Sequence, residues 1–267
     1  MSTVSTAFER AGAEGRAALV GYLPAGFPSV PDAIAALTAM AQAGVDIVEI
    51  GLPYSDPLMD GPVIQEAARR ALAAGTRVSD VLDTVQAVAA AGVPVLVMTY
   101  WNPVDHHGVA AFARDLANAG GSGLITPDLT PEEAGPWLEA AAARGLDPVF
   151  LVAPSSSAER IKLITAACGG FVYAASVMGT TGARDAVGGQ AAGLVRRVRE
   201  YTKLPVAVGL GVKDPSQAAE VAGFADGVIV GSAFVRRLLD APDAGAGIAA
   251  VRDLAADLAA GVRHPDR

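Results

Sequence analysis

The sequence predicts an α/β protein that folds as a single (β/α)8 barrel across residues 1–267, with an extra N-terminal helix and a short helix after the eighth strand. Eight short runs rich in Val, Ile and Leu are almost continuously apolar, as parallel strands buried on both faces are. Ala-rich amphipathic segments alternate with them, and no linker divides the chain. An open doubly wound sheet is the alternative, but eight strands in this length favour the closed barrel.

The order of the elements follows from these patterns. The predicted strands occupy residues 17–23, 45–51, 93–100, 123–128, 148–153, 171–176, 204–211 and 227–233. Predicted helices between them include residues 32–44, 78–92, 110–120, 131–145 and 157–168. Helix-start signals are Thr130 with Pro131 and Glu133, Ser156 with Glu159, and Asp214 with Pro215. Glycines predicted to end helices are Gly44, Gly92, Gly120 and Gly145.

Composition excludes several classes of protein. With 52% apolar and 18% charged residues, the chain has enough apolar side chains for a large core and is not disordered. Lys and Arg number 20 against 28 Asp and Glu, and the net charge of −8 argues against a nucleic-acid partner. The N-terminus lacks a signal-peptide pattern, and no apolar stretch is long enough to span a membrane. We therefore expect a soluble protein with no membrane partner.

The cysteine and histidine residues give no sign of a metal site or of a disulfide. Cys168 is the only cysteine, which fits a reducing compartment and makes the cytoplasm the expected location. His106 and His107 are adjacent, which is poor geometry for binding one ion, and His264 lies near the C-terminus. We expect no metal and no cofactor in this chain.

Two carboxylates mark the carboxyl end of the second predicted strand, where barrel enzymes place their chemistry. Glu49 shares side-chain parity with Ile47, so both are expected to point into the barrel. Burial would raise the pKa of Glu49 towards neutrality, as a proton-transferring group at physiological pH requires. The alternative is a structural Glu paired with an Arg or a backbone donor.

Asp60 follows in a loop rich in Pro, Gly and Asp. In this polar setting its pKa should stay lower than that of Glu49, so the two acids would hold different protonation states and suit separate acid/base and electrostatic roles. The alternative is ordinary turn chemistry, because Asp before Gly61 is common in turns.

Glycines at the last three strand ends predict a phosphate site. Gly211, Gly231 and Ser232 follow the seventh and eighth strands, and Gly182 follows the sixth. Glycine lets backbone N–H groups approach a phosphate closely, and the N-terminus of the short helix after the eighth strand adds a favourable dipole. No basic side chain is obvious at these positions, so backbone dipoles would be the main ligands. Each glycine taken alone could instead make a tight turn.

Long segments of the chain resemble the tryptophan synthase alpha subunit family. The run "EIGLPYSDPLMDGPVIQEAARRAL" (49–72) is similar to its second strand, loop and helix. Other family segments follow in the same order: "YLPAGFP", "MTYWNPV", "TPDLTPEEA", "FLVAPSSSAERI", "FVYAASVMGTTGAR", "VAVGLGV" and "GVIVGSA". The resemblance implies a carbon–carbon lyase of L-tryptophan biosynthesis, which cleaves indole-3-glycerol phosphate into indole and glyceraldehyde 3-phosphate.

The resemblance also implies roles for individual residues. Glu49 would protonate indole C3 and accept the proton of the glycerol hydroxyl, and Asp60 would accept a hydrogen bond from the indole N–H. Tyr173 matches the family's tyrosine on the sixth strand. Thr181 would position Asp60, and with Gly182 it lies in a loop that closes over the substrate. Residues expected to line the indole pocket, each of which could equally be core, are Tyr22, Ile64, Tyr100, Ile125 and Leu151.

Three positions depart from the family pattern. Leu210 stands where Phe is common, which removes an aromatic edge from the pocket and affects affinity or ring specificity. Tyr54 replaces a usual Phe, and Met59 replaces a usual small Ala. Both carboxylates are retained.

In that family the partner is a beta subunit that carries pyridoxal phosphate (PLP) and receives the indole through a tunnel in an α2β2 heterotetramer. The matching contact segment here contains Pro53, Asp56 and Pro57. Two alternatives stay open within the family: a stand-alone indole-releasing lyase, and a degenerate barrel that only binds and activates the beta subunit. A sugar-phosphate isomerase is a more distant alternative, because it would not need the "PYSDPLMDGP" loop.

Overall fold

The computed structural model describes residues 2–175, 184–209 and 211–264. Parallel strands form one sheet in the order β5-β4-β3-β2-β1-β9-β8-β7-β6, so β5 and β6 are at its two ends. The strands are β1 (Ala18–Pro24), β2 (Ile47–Gly51), β3 (Val95–Met98), β4 (Gly123–Ile125), β5 (Asp147–Val149), β6 (Leu151–Val152), β7 (Val172–Ala175), β8 (Val206–Gly209) and β9 (Gly227–Val230).

The strands β5 and β6 are two parts of one barrel strand. Only Phe150 separates them; β5 pairs with β4, and β6 pairs with β7. The Phe150 side chain is buried, and its carbonyl accepts a hydrogen bond from the Tyr173 N–H at 3.2 Å. The sheet therefore closes into an eight-membered barrel, and the (β/α)8 prediction is confirmed.

Helices follow the strands around the barrel. They are α1 (Thr3–Ala13), α2 (Val30–Gln42), α3 (Pro62–Ala73), α4 (Val78–Ala89), α5 (Trp101–His107), α6 (Val109–Asn118), α7 (Gly135–Arg144), α8 (Ala158–Ala167), α9 (Arg184–Arg199), α10 (Pro215–Ala222), α11 (Ser232–Leu239) and α12 (Ala244–Arg263). The extra N-terminal helix is α1, and the short helix after the last strand is α11. No helix in the described ranges is long and apolar enough to cross a membrane.

Two predicted helix starts were wrong and one was right. The Asp214 carboxylate accepts the Gln217 N–H at 2.9 Å and caps α10, as predicted. The cap of α8 is Ser157, whereas the Ser156 hydroxyl accepts a hydrogen bond from the Ala153 N–H in the preceding loop. The helix expected from residue 131 begins at Gly135, because Pro136 lacks an N–H and fits only the first turn.

Alternate strand residues fill the inside of the barrel. The inward-facing set includes Val20, Ile47, Leu96, Ile125, Val149, Ala207 and Ile229, and α1 packs against it. The Phe8 ring of α1 lies 5.3 Å from that of Phe171. The apolar face of α1 therefore closes the amino-terminal end of the barrel, which leaves chemistry to the carboxyl ends of the strands.

Asp46, just before β2, is fully paired at the closed end of the barrel. Its carboxylate accepts two hydrogen bonds from Arg16, at 2.6 and 2.8 Å, and one from the Leu19 N–H at 2.9 Å. Arg10 adds a longer contact of 3.3 Å. The side chains of Asp46 and Arg16 are 4% and 5% exposed, and Asp46 raises the pKa of the Arg16 guanidinium. This buried pair joins β2 to the segment before β1.

Candidate active site at the carboxyl ends of the strands

A cavity of about 610 Å³ lies at the carboxyl ends of the barrel strands. Nine of the residues singled out in the sequence line it: Glu49, Asp60, Tyr22, Ile64, Leu151, Tyr173, Gly211, Gly231 and Ser232. The chain thus brings together residues that are up to 210 positions apart in the sequence, from Tyr22 to Ser232. This size is within the range of pockets that enclose a small organic molecule.

Glu49 lines this cavity, and no described Lys, Arg or His forms an ion pair with it. It pairs in register with Tyr22 of β1, and it is 1% exposed. Its Oε2 atom finds no hydrogen-bond partner among the described residues. Burial, and then the nearby charge of Asp60, raise the pKa of Glu49 to about 8. The side chain can therefore be protonated near neutral pH and still lose its proton within the physiological range.

Asp60 lies in the loop between β2 and α3 and is partly buried. Its pKa is raised by burial, so its loop position is less polar than the sequence suggested. The loop is held from both sides. The Tyr100 hydroxyl accepts a hydrogen bond from the Met59 N–H at 2.9 Å, and the Gln65 side chain donates to the Asp60 carbonyl at 2.8 Å. These bonds fix the backbone on either side of the Asp60 carboxylate.

Two tyrosines adjoin the carboxylates, Tyr22 buried and Tyr173 partly buried, and two strand-end glycines make room for their rings. A Cβ atom at Gly51 would collide with the Tyr22 hydroxyl, and one at Gly209 would lie 2.7 Å from the Tyr173 hydroxyl. Burial raises the pKa of both tyrosines well above its ordinary value, and the charges of Asp60 and Glu49 raise it further. Both phenols therefore stay neutral and can act only as neutral hydrogen-bonding groups.

The other end of the cavity is built from backbone. Gly211 has a φ of 69°, which favours glycine, and Gly231 is the N-cap of α11, of which Ser232 is the first residue. The N–H groups at the start of a helix have no partner within it and carry a partial positive charge. No Lys or Arg is among the described residues that line the cavity. This end is thus able to hold an anion through backbone dipoles.

Two predicted pocket residues do not line the cavity. Ile125 is fully buried in the central core below it. Tyr100 lies beyond the end of β3, at the N-cap of α5, where it holds the loop that carries Asp60. Parity alone cannot place such a residue, because the strand has already ended. Thr181, Gly182 and Leu210 lie outside the described residues.

Several residues that line the cavity were not predicted from the sequence. Met98 shares inward parity with Leu96, so strand alternation could have found it. Pro154 and Ser155 follow β6 and could have been found as a strand end. Gln190 reaches the cavity from α9, and no sequence signal identifies it.

The loop between β2 and α3 also presents apolar side chains to solvent. Leu58 and Met59 are 86% and 55% exposed, which is unusual for large apolar residues. Of the predicted partner contacts, Asp56 is exposed and Pro57 partly exposed, whereas Pro53 is buried within the chain. Pro53 therefore supports the loop rather than forming its outer surface.

Metal ligands do not converge in the part of the chain that the structure describes. No three His, Cys, Asp or Glu side chains there lie close enough to hold an ion. The His107 ring nitrogen instead lies 3.0 Å from an oxygen of the Asp115 carboxylate.

The chain is similar over its whole length to proteins of one family. A family model described as tryptophan synthase alpha chain matches residues 8–261. The tryptophan synthase alpha chain of Salinispora arenicola (strain CNS-205) is 62% identical over 265 residues, covering 99% of each chain. That of Thermobifida fusca (strain YX) is 60% identical over 270 residues, covering all of both.

Solved structures give the same result. A crystal structure of tryptophan synthase from M. tuberculosis, in an open form, matches with a TM-score of 0.91 at 51% identity and covers 98% of this chain and 99% of that one. Tryptophan synthase subunit alpha from Legionella pneumophila str. Paris matches with a TM-score of 0.89 at 32% identity, covering 98% of each.

Proposed function

The chain belongs to the tryptophan synthase alpha chain family, and from this we propose that its cavity cleaves indole-3-glycerol phosphate into indole and glyceraldehyde 3-phosphate. The observation that carries the proposal is Glu49, which is buried in the cavity, lacks a partner at Oε2 among the described residues, and has a pKa raised to about 8. Burying a carboxyl group without a partner lowers the stability of the fold, and such groups with perturbed pKa values are found at sites of proton transfer.

The reaction requires one proton to move from a hydroxyl to a carbon. Protonated Glu49 donates to indole C3, which leaves the ring nitrogen positively charged and weakens the bond between C3 and the glycerol carbon. The resulting carboxylate accepts the proton of the hydroxyl on that carbon, which becomes the aldehyde as the bond breaks. The indole ring regains its electrons, and Glu49 ends protonated as it began. A pKa near 8 suits a group that must both give and take a proton near neutral pH.

Asp60 is proposed to stabilise the charge on the indole ring. As a carboxylate at the rim of the cavity it would accept the indole N–H and attract the positive charge that develops on the nitrogen. Burial raises its pKa, in the same direction as that of Glu49. The ring itself would pack against Tyr22, Ile64 and Leu151, with Tyr173 beside Glu49. The family resemblance adds Thr181 and Leu210, which lie outside the described residues.

The phosphate is proposed to bind at the backbone end of the cavity. Gly211, Gly231 and Ser232 would direct N–H groups at it, with Gly182 from the preceding loop. A phosphate there and an indole near Asp60 would place the bond to be broken beside Glu49.

The loop between β2 and α3 is proposed to contact a beta subunit in an α2β2 complex. Asp56, Pro57 and the exposed Leu58 would form the contact surface, with Pro53 fixing the loop from within. A partner would cover apolar area that is now open to water. PLP would belong to that partner, and we place the protein in the cytoplasm because its single cysteine fits a reducing compartment.

Indole release from indole-3-glycerol phosphate tests the proposal. The purified chain is assayed alone and with a tryptophan synthase beta subunit added. We expect slow release alone and a sharp rise with the beta subunit. Fast release without the beta subunit would identify a stand-alone lyase. No release in either condition, from folded protein, would refute the proposed activity.

A further inference from the structure

A second cavity lies beside the phosphate end of the catalytic cavity and carries opposite charge to the chain as a whole. Its volume is about 400 Å³, and Ser232 lines both cavities. Three cations line it, Lys213, Arg236 and Arg237, against one carboxylate, Asp240. The chain as a whole has a net charge of −8. This concave patch therefore stands out as a local positive region.

The three cations are not engaged elsewhere. Lys213, Arg236 and Arg237 are all exposed, and none forms an ion pair within 4 Å with a described carboxylate. The wall that α12 contributes is apolar, and the nearby Asp243 is occupied as the N-cap of that helix, where it accepts the Ala246 N–H at 2.8 Å. The three positively charged side chains are thus exposed to solvent and are not neutralised by a described ion pair.

A phosphate ester substrate meets two electrostatic problems at this protein. Its phosphate is mostly a dianion at pH 7, because the second pKa of such groups is about 6, and the chain repels it. The catalytic cavity offers it dipoles and no full positive charge, since no Lys or Arg is among its described lining residues. Dipoles act over a short range, whereas full charges act over about a Debye length, roughly 10 Å at 0.1 M salt.

We propose that Lys213, Arg236 and Arg237 form an electrostatic guide that concentrates phosphate ester dianions at the Ser232 end of the catalytic cavity. This inference rests on the proposed function. It means that residues outside the catalytic cavity help to attract the substrate. Long-range attraction of this kind stabilises the bound substrate and the transition state equally, relative to free substrate. It therefore raises kcat/KM and leaves kcat unchanged, and salt weakens it.

The test compares two double variants of equal charge. The guide variant, Arg236→Gln with Arg237→Gln, removes two charges from the guide. The control variant, Arg114→Gln with Arg144→Gln, removes two exposed charges from α6 and α7. These helices follow β3 and β4, elsewhere around the barrel. We expect kcat/KM of the guide variant to fall about three- to tenfold at low ionic strength, with kcat unchanged and the loss shrinking at high salt. The control variant should lose much less.

Ligand binding separates the guide from a structural effect. The Kd for glyceraldehyde 3-phosphate should rise in the guide variant by a similar factor, whereas the Kd for uncharged indole should not change. Equal losses in both double variants, or a loss that does not depend on salt, would overturn the guide while the lyase activity stands. If the unmodified chain releases no indole, the proposed function fails, and phosphate ester binding still decides whether the guide exists.

Discussion

Two buried carboxylates three residues apart differ in the partners that surround them in this barrel. Asp46 is met by two arginines and a backbone N–H at the closed end, whereas Glu49 has an oxygen with no partner among the described residues at the open end. Their exposed fractions are 4% and 1%, so burial does not distinguish them. What distinguishes them is whether the fold supplies positively charged and hydrogen-bonding partners for the carboxylate.

The contrast assigns stability to one end of β2 and chemistry to the other. Asp46 is held by Arg16 and the Leu19 N–H, and these bonds link β2 to the segment before β1. An unpaired carboxylate in the same degree of burial holds its proton until about pH 8 and is free to exchange it with a substrate. One short strand thus carries both functions, because its two ends face different surroundings.

The largest expected effect is on the catalytic rate of Glu49→Gln. The amide fills the same space but cannot transfer a proton, so kcat for indole release should fall by about 10⁴-fold. Substrate binding should stay within about tenfold, since the lost group acts mainly in the transition state. Single-turnover indole release together with substrate Kd measures both, and an undiminished rate would remove Glu49 from the mechanism.

Removing the charge at Asp46 should act on stability instead. Asp46→Ala removes the buried partner of Arg16 and leaves it only the half-exposed Glu14 at 2.7 Å, and breaking a buried pair typically costs about 3–5 kcal/mol in free energy of unfolding. The matched control is Asp253→Ala, where the pair with Arg252 is 59–66% exposed and worth about 0–1 kcal/mol. Denaturant unfolding measures the difference. The account predicts normal kcat per folded molecule in both variants, and a specific loss of kcat in Asp46→Ala would contradict the division of roles.

Asp60→Asn should lower cleavage by about 10²-fold, because one electrostatic contact to developing charge is lost. The exposed Asp83 on α4 supplies the control, as Asp83→Asn removes a charge of the same sign far from the cavity lining. Steady-state kcat/KM for both variants of the chain alone makes the comparison. A near-normal rate in Asp60→Asn would mean that this residue only forms a turn and does not take part in cleavage.

Gly51→Ala should have the smallest effect of the four. Its added methyl group would collide with the Tyr22 hydroxyl and displace the ring beside Glu49, and we expect kcat/KM to fall by about tenfold, in line with the sensitivity of catalysis to small misplacements. Gly135→Ala at the start of α7 is the control, since nothing lies within 4 Å of its added Cβ. Equal activity in the two variants would show that the Tyr22 position does not matter.

Sequence reasoning reached the fold and the strand-borne part of the site. Parity along β2 placed Glu49 inside, because side chains alternate strictly within a strand and Ile47 is core. The same rule gave no position for Tyr100, which lies past the end of β3. The family resemblance, rather than parity, placed Ile125 at the pocket, whereas β4 ends there and the side chain belongs to the layer below.

Features that depend on contacts between distant segments could not be predicted from the sequence. Asp60 was expected in a polar setting with a pKa below that of Glu49, and the structure instead buries it partly, which raises its pKa from the ordinary value. The roles of Gly51 and Gly209 depend on tyrosines from neighbouring strands. The interruption at Phe150 has no local signal, since Pro148 and Val149 read as an ordinary strand.

The pKa of Glu49 is the most direct test of the contrast between the two carboxylates. The carboxyl carbons of ¹³C-labelled glutamate are followed by NMR across pH 3–10 in the free chain, and the resonance missing from Glu49→Gln identifies Glu49. The account predicts a midpoint of about 8, so that Glu49 is mostly protonated at pH 7. A midpoint near the ordinary 4.5 would mean that the buried carboxyl is compensated after all, and the proposed acid/base role would lose its basis.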